Sequence, residues 1–207
     1  MTEFREITSG LRFPEGPIAM PDGSVILVEI ERQTLTRVLP DGSQEIIART
    51  GGGPNGAAMG PDGKCYICNN GGFNWGTDDG ILHTTGVSED YVTGSIQRVD
   101  LDTGEVETLY TECNGNRLCG PNDIVFDKAG NFWFTDLGKA RPRDLDRGAI
   151  YYARSDGSLI VEAVHPLFMP NGIGLSPDDG RVYAAETDAG RLVAWDIVGE
   201  GEVTTKP

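Results

Sequence analysis

A chain of 207 residues is long enough for one β-rich domain with a sizeable core, and no apolar run in it approaches the length of a membrane span. Its 17 Lys plus Arg against 32 Asp plus Glu give a net charge of −15, which repels nucleic acid and anionic membranes. The opening segment, residues 1–6, lacks a signal-peptide core, so the expectation is a soluble, cytoplasmic protein with reduced thiols.

In chain order, the first segment with a clear pattern is Phe13-Pro14-Glu15-Gly16, followed by a turn at Pro21-Asp22-Gly23 and an apolar run over residues 24–28. Asp-Gly supplies the positive φ that tight turns need, so strand, turn and strand read as a hairpin. A second hairpin follows, turning at Pro40-Asp41-Gly42 between residues 36–39 and 44–47. The next copy starts at Gly53-Pro54-Asn55-Gly56, turns at Pro61-Asp62-Gly63, and later turns again at Asp102-Thr103-Gly104. The third starts at Gly120-Pro121-Asn122-Asp123, with turns at Lys128-Ala129-Gly130 and Ser155-Asp156-Gly157. The fourth starts at Met169-Pro170-Asn171-Gly172 and turns at Pro177-Asp178-Asp179-Gly180.

Two hairpins per copy make about four strands, the signature of a propeller blade, and no capped segment of helical period interrupts them. The expected fold is therefore an all-β propeller with blades at about 11–50, 51–110, 117–164 and 166–207. The prolines lie 40, 67 and 49 residues apart, and the long middle interval is explained by an insertion at 71–94 that carries Phe73, Trp75 and His83. Such a segment reads either as a solvated loop or as a lid over a ligand face.

Several chemistries are disfavoured. Cys65 and Cys68 have the spacing of a chelate or redox pair, but three residues apart on a strand they point to opposite faces. Cys113 and Cys119 flank a Gly-Asn turn and read as reduced thiols. His83 and His165 are the only histidines and have no ligand-like neighbours at helical spacing. No Gly-x-Ser-x-Gly elbow is present, and the Gly51-Gly53-Gly56 match to a phosphate loop includes Pro54, which has no amide to offer. Asp100, Asp102 and Gly104 read as a hairpin turn rather than a calcium loop. What remains are side-chain oxygens at equivalent repeat positions, Glu15, Asn55, Asn122 and Asn171, which a propeller can bring to one axis. Such oxygens suit a hard divalent cation, although Asn beside Pro and Gly is also a common turn former.

These segments resemble the gluconolactonase, senescence marker protein 30 and luciferin-regenerating-enzyme family over essentially the whole chain. The most specific stretch runs from Gly120 to Asp127 and continues through residues 132–136; the segments at 13–17 and 169–178 match as well. The resemblance implies a six-bladed propeller holding one divalent cation, calcium in first place, with Zn2+, Fe2+, Mn2+ and Mg2+ as alternatives. It implies Glu15, Asn122 and Asn171 as metal ligands, Asn122 and Asn55 as substrate contacts, and a small-molecule sugar-acid lactone as substrate. Asp123 and Asp136 read either as supports of the site or as strand-end hydrogen-bonding groups, and Lys139, Arg141 and Arg143 as lining or solvated residues. The family's remaining Asp, a metal ligand and general base, is expected beyond Pro207, so the catalytic residue itself is unassigned. With about four blades encoded, the further expectations are weak cation binding, impaired hydrolysis by this polypeptide alone, and self-association through exposed blade edges. The alternative readings are a non-catalytic calcium-binding or interaction propeller, and a relative acting on organophosphates or other esters.

Overall fold

Proline has no N–H to give to a sheet ladder, and each of the four repeated prolines stands first in its strand, where that donor is not needed. A computed structural model describes residues 4–204; residues 1–3 and 205–207, which bear on the readings of the N-terminal segment and the chain end, lie outside the described residues. The first sheet contains β1 (Pro14–Ala19), β2 (Val25–Glu29), β3 (Thr34–Val38) and β4 (Gln44–Arg49) in consecutive antiparallel order. The second begins with β5 (Pro54–Met59) and β6 (Cys65–Asn69). The chain then leaves it for a separate hairpin, β7 (Phe73–Asp78) and β8 (Ile81–Val87), and returns as β9 (Ser95–Val99) and β10 (Val106–Tyr110).

A two-stranded ribbon, β11 (Glu112–Cys113) and β12 (Asn116–Arg117), leads to the third sheet. That sheet comprises β13 (Pro121–Phe126) and β14 (Phe132–Asp136), an outlying ribbon of β15 (Ala140–Arg141) and β16 (Asp144–Leu145), then β17 (Gly148–Ala153) and β18 (Ile160–Leu167). The fourth is β19 (Pro170–Leu175), β20 (Arg181–Glu186), β21 (Arg191–Gly199) and β22 (Glu202–Val203). No helix occurs among the described residues. The 71–94 insertion, expected as a solvated loop or a lid, is largely a hairpin, its strands paired from Phe73↔Val87 to Asp78↔Ile81.

The sheets stack side by side because their middle strands are apolar on both faces. On β6, Cys65 and Ile67 pack towards the first sheet against Ile26, Val28 and Leu35, whereas Tyr66 and Cys68 pack towards the third against Ile124, Phe132 and Phe134. That alternation places the two cysteines in different clusters. On β14, Phe132 and Phe134 face the second sheet, and Trp133 faces Val182, Ala184 and Trp195 of the fourth. Each such buried side chain stabilises the stack by about 1.5–3 kcal/mol. The first strands then fall next to one another, β1 beside β5, β5 beside β13 and β13 beside β19, as around a propeller axis.

Candidate functional site

All four first strands are irregular at the same place. The β1–β2 ladder shifts register between Glu15 and Ile18, and the corresponding shifts run from Pro54 to Ala57, Pro121 to Ile124 and Pro170 to Ile173. A bulge re-aims the side chains within it. As a result Glu15, Asn55, Asn122 and Asn171 line one cavity of about 250 Å3, together with Gly16, Pro17, Gly56, Ala57 and Asp123. The strands carrying these residues approach too closely for ordinary side chains. A Cβ on Gly16 would lie 2.6 Å from the Ala57 backbone nitrogen, and one on Gly56 would lie 2.4 Å from the Asn122 carbonyl oxygen.

Glu15 is exposed at the cavity and its Oε2 accepts only a 3.3 Å hydrogen bond from its neighbour's Gly16 N–H. Asn122 is buried, Asn55 half-buried and Asn171 exposed. None of the three amide side chains makes a hydrogen bond within the described residues. Buried amides normally find partners, so Asn122 in particular leaves bonding capacity directed at whatever enters. Asp123 differs, because its two carboxylate oxygens accept from Ile124 N–H at 2.9 Å and Ile173 N–H at 3.0 Å and so tie β13 to β19. Thr135 completes the tie by donating to the Asn171 carbonyl at 2.5 Å.

Among the described residues no group of three or more His, Cys, Asp or Glu side chains is arranged to hold a metal. The cavity instead offers one free carboxylate and three amide oxygens. That set fits a hard, oxygen-liganded cation and is unsuited to thiolate or imidazole coordination.

A second repeated feature escaped the sequence reading. Opposite each proline, at the end of the second strand, stands a buried polar residue: Pro14↔Glu29, Pro54↔Asn69, Pro121↔Asp136 and Pro170↔Glu186. Each accepts a hydrogen bond from the backbone just before the proline strand, from Arg12 N–H at 2.7 Å, Gly53 at 2.8 Å, Gly120 at 2.6 Å and Phe168 at 2.7 Å. These residues lie 15 or 16 positions after their prolines, and that spacing was the available signal. Asp136 is therefore a strand-end acceptor. It also receives Cys119 N–H at 2.7 Å and Gly138 N–H at 2.9 Å. Burial pushes its carboxyl above the usual range, the three N–H groups oppose that push, and Asp146 adds to it.

Lys139, expected to line the face or to be solvated, is 1% exposed. Its Nζ donates to Asn70 Oδ1 at 3.1 Å and to the Gly72 carbonyl at 3.0 Å, and sits 3.9 Å from the Phe73 ring centroid. It thus pins the neck of the β7–β8 hairpin, whose Trp75 packs at 4.9 Å from Phe13, beside Pro14 and Glu15. Arg141, by contrast, is engaged with Asp144 and Asp146. Burial lowers the Lys139 pKa to about 7 against the opposing pull of Asp136 and Asp146. Between about pH 7 and 10 the unfolded chain binds the extra proton, so unfolding free energy should rise with pH across that window. Wild-type stability should gain on Lys139→Met by roughly 1 kcal/mol per pH unit there. Urea denaturation of both proteins at several pH values checks this; parallel pH profiles would refute it.

The SMP-30/gluconolactonase/LRE-like family model matches residues 13–207. The chain belongs to that family. Among family relatives, a gluconolactonase of Zymomonas mobilis is 26% identical over 216 residues, covering 94% of this chain and 54% of that protein. The solved gluconolactonase of Xanthomonas campestris superposes with a TM-score of 0.71 at 21% identity, over 95% of this chain and 62% of the other. A calcium-binding regucalcin of Agrobacterium tumefaciens superposes at 0.66 with 20% identity, over 96% of this chain and 59% of that one. The chain spans about half the length of the curated relatives it matches. The structural likenesses establish the shared fold.

Proposed function

We propose that the protein is a hydrolase of sugar-acid lactones, and that Glu15, Asn122 and Asn171 hold a divalent cation, calcium in first place, in the axial cavity. The observation carrying this reading is the convergence of Glu15, Asn55, Asn122 and Asn171 on one cavity from four separate sheets. Membership of the gluconolactonase-like family and the likeness to a calcium-binding regucalcin support it.

Held by Glu15, Asn122 and Asn171, such a cation would supply Lewis-acid polarisation of a lactone carbonyl and positive charge for the developing oxyanion. The chain's own residues supply the rest of the environment. Glu15 contributes the negative charge that attracts the cation, and the Asn122 and Asn171 amides add neutral oxygens. Asn55 is available to hydrogen-bond the hydroxyls of a polyol substrate through either end of its amide. Asp123, with both oxygens engaged by backbone N–H groups, holds β13 and β19 in place around the site. Trp75 of the β7–β8 hairpin packs on Phe13, two residues before Glu15.

Turnover of δ-gluconolactone, followed by acid release with added calcium and with chelator, tests the reading together with a calorimetric calcium titration. The expected result is weak but saturable calcium binding and a low hydrolysis rate that chelation suppresses and calcium restores. Calcium binding without lactone turnover would replace the enzyme by a cation-binding module. Turnover indifferent to chelator would remove the cation from the mechanism.

A further inference from the structure

A second cavity, of about 240 Å3, shares no lining residue with the axial one. Its walls come from β12, the start of β17 and β18, and include Arg117, Arg147, Glu162 and His165; buried Ala149 and Tyr151 form part of its floor. Several arginines, among them Arg12, Arg98, Arg154 and Arg181, hold a carboxylate, while others, such as Arg49 and Arg143, are in no ion pair among the described residues. Arg117 and Arg147 hold no carboxylate among the described residues. Arg117 Nη1 donates only to the Val92 carbonyl at a long 3.4 Å, and Arg147 lies over the exposed Phe168 ring at 4.2 Å.

Two carboxylates, Asp136 and Glu162, line the cavity together with the arginines. Asp136, 2% exposed at the cavity wall, accepts from three backbone N–H groups. The Cys119 thiol, pushed up to about 12 chiefly by burial, adds no charge. Glu162 accepts from the Tyr151 hydroxyl through Oε2 at 3.2 Å and keeps its other oxygen open. Two guanidiniums without carboxylate partners attract an oxyanion, and guanidinium geometry suits a planar carboxylate. The open Glu162 oxygen repels a second anionic group and accepts from a hydroxyl.

We infer that this cavity is a binding site for a small hydroxy-carboxylate anion, whose carboxylate sits between Arg117 and Arg147 and whose hydroxyl donates to Glu162. The inference stands on this cavity alone; under the lactonase reading, such anions are also the products of the reaction.

Calorimetric titration with D-gluconate as probe, with glucose and inorganic phosphate for comparison, tests the inference. Saturable gluconate binding is expected, at least about tenfold tighter than for either comparison ligand, with each of Arg117→Gln and Arg147→Gln weakening it about tenfold. Both arginines are exposed, so the variants should keep the wild-type unfolding transition. With chelator present throughout, no cation occupies the axial cavity, so the titration reads this site whatever the lactone assay shows. Absence of saturable binding, or unchanged affinity in both arginine variants, would overturn the proposal. Phosphate binding as tightly as gluconate would overturn the hydroxy-carboxylate assignment.

Discussion

Asp136→Ala is expected to lower the stability of the fold by about 3–5 kcal/mol, because three buried N–H groups lose their acceptor at once. Those groups belong to Cys119, Gly120 and Gly138, and their bonds of 2.6–2.9 Å join the entry to β13 with the exit from β14. Asp136→Asn should cost less, since the amide keeps one oxygen acceptor but turns a donor towards groups that are donors themselves. Asp156→Ala supplies the control, as this aspartate serves an exposed turn at Ser158. Equilibrium urea unfolding measures all three, and a loss below about 1 kcal/mol for Asp136→Ala would show that the acceptor is dispensable. The same logic extends to Glu29, Asn69 and Glu186, which occupy the equivalent positions in the other sheets.

Glu15→Gln is expected to reduce calcium-dependent lactone turnover about 100-fold and to weaken calcium binding about tenfold or more. The substitution keeps the side-chain volume and one oxygen but removes the only carboxylate at the axial cavity that no strong protein hydrogen bond occupies. Its unfolding transition should match that of the wild type, because Glu15 is exposed and its one contact is a 3.3 Å bond to the adjacent backbone. Turnover and calcium affinity that survive the change would remove Glu15 from the proposed ligand set. A fall in both with an unaltered transition would separate its chemical role from any structural one.

Much of the architecture is visible in short stretches of sequence. The Asp-Gly turns at Asp22-Gly23, Asp41-Gly42 and Asp62-Gly63 end strands wherever they occur, because only a residue tolerant of positive φ closes so tight a turn; Gly23, Gly42 and Gly63 have φ of +83°, +87° and +76°. The two-residue period of the strand likewise predicts that Cys65 and Cys68 point to opposite faces, and they lie in different clusters. Local chemistry was silent about Lys139, since a lysine in a polar stretch normally remains solvated; its burial depends on Asn70 and Phe73, almost seventy residues earlier. The 71–94 segment was similarly opaque, because Gly-rich, polar composition weakens strand signals. Its hairpin is anchored by packing of Trp75 on Phe13.

Glu29, Asn69, Asp136 and Glu186 show where the division falls. Their identities and their offset of 15 or 16 from the four prolines are properties of the chain, as are the hairpins and the recurrence of Glu15, Asn55, Asn122 and Asn171. Antiparallel pairing turns the offset into a contact, and the bulges beside it direct the other four residues towards one cavity. Turns and alternation follow from the φ preferences and side-chain directions of neighbouring residues, which act over a few positions. Which oxygens are consumed by backbone N–H groups and which stay open to a ligand depends on packing between sheets, and that only the tertiary structure decides.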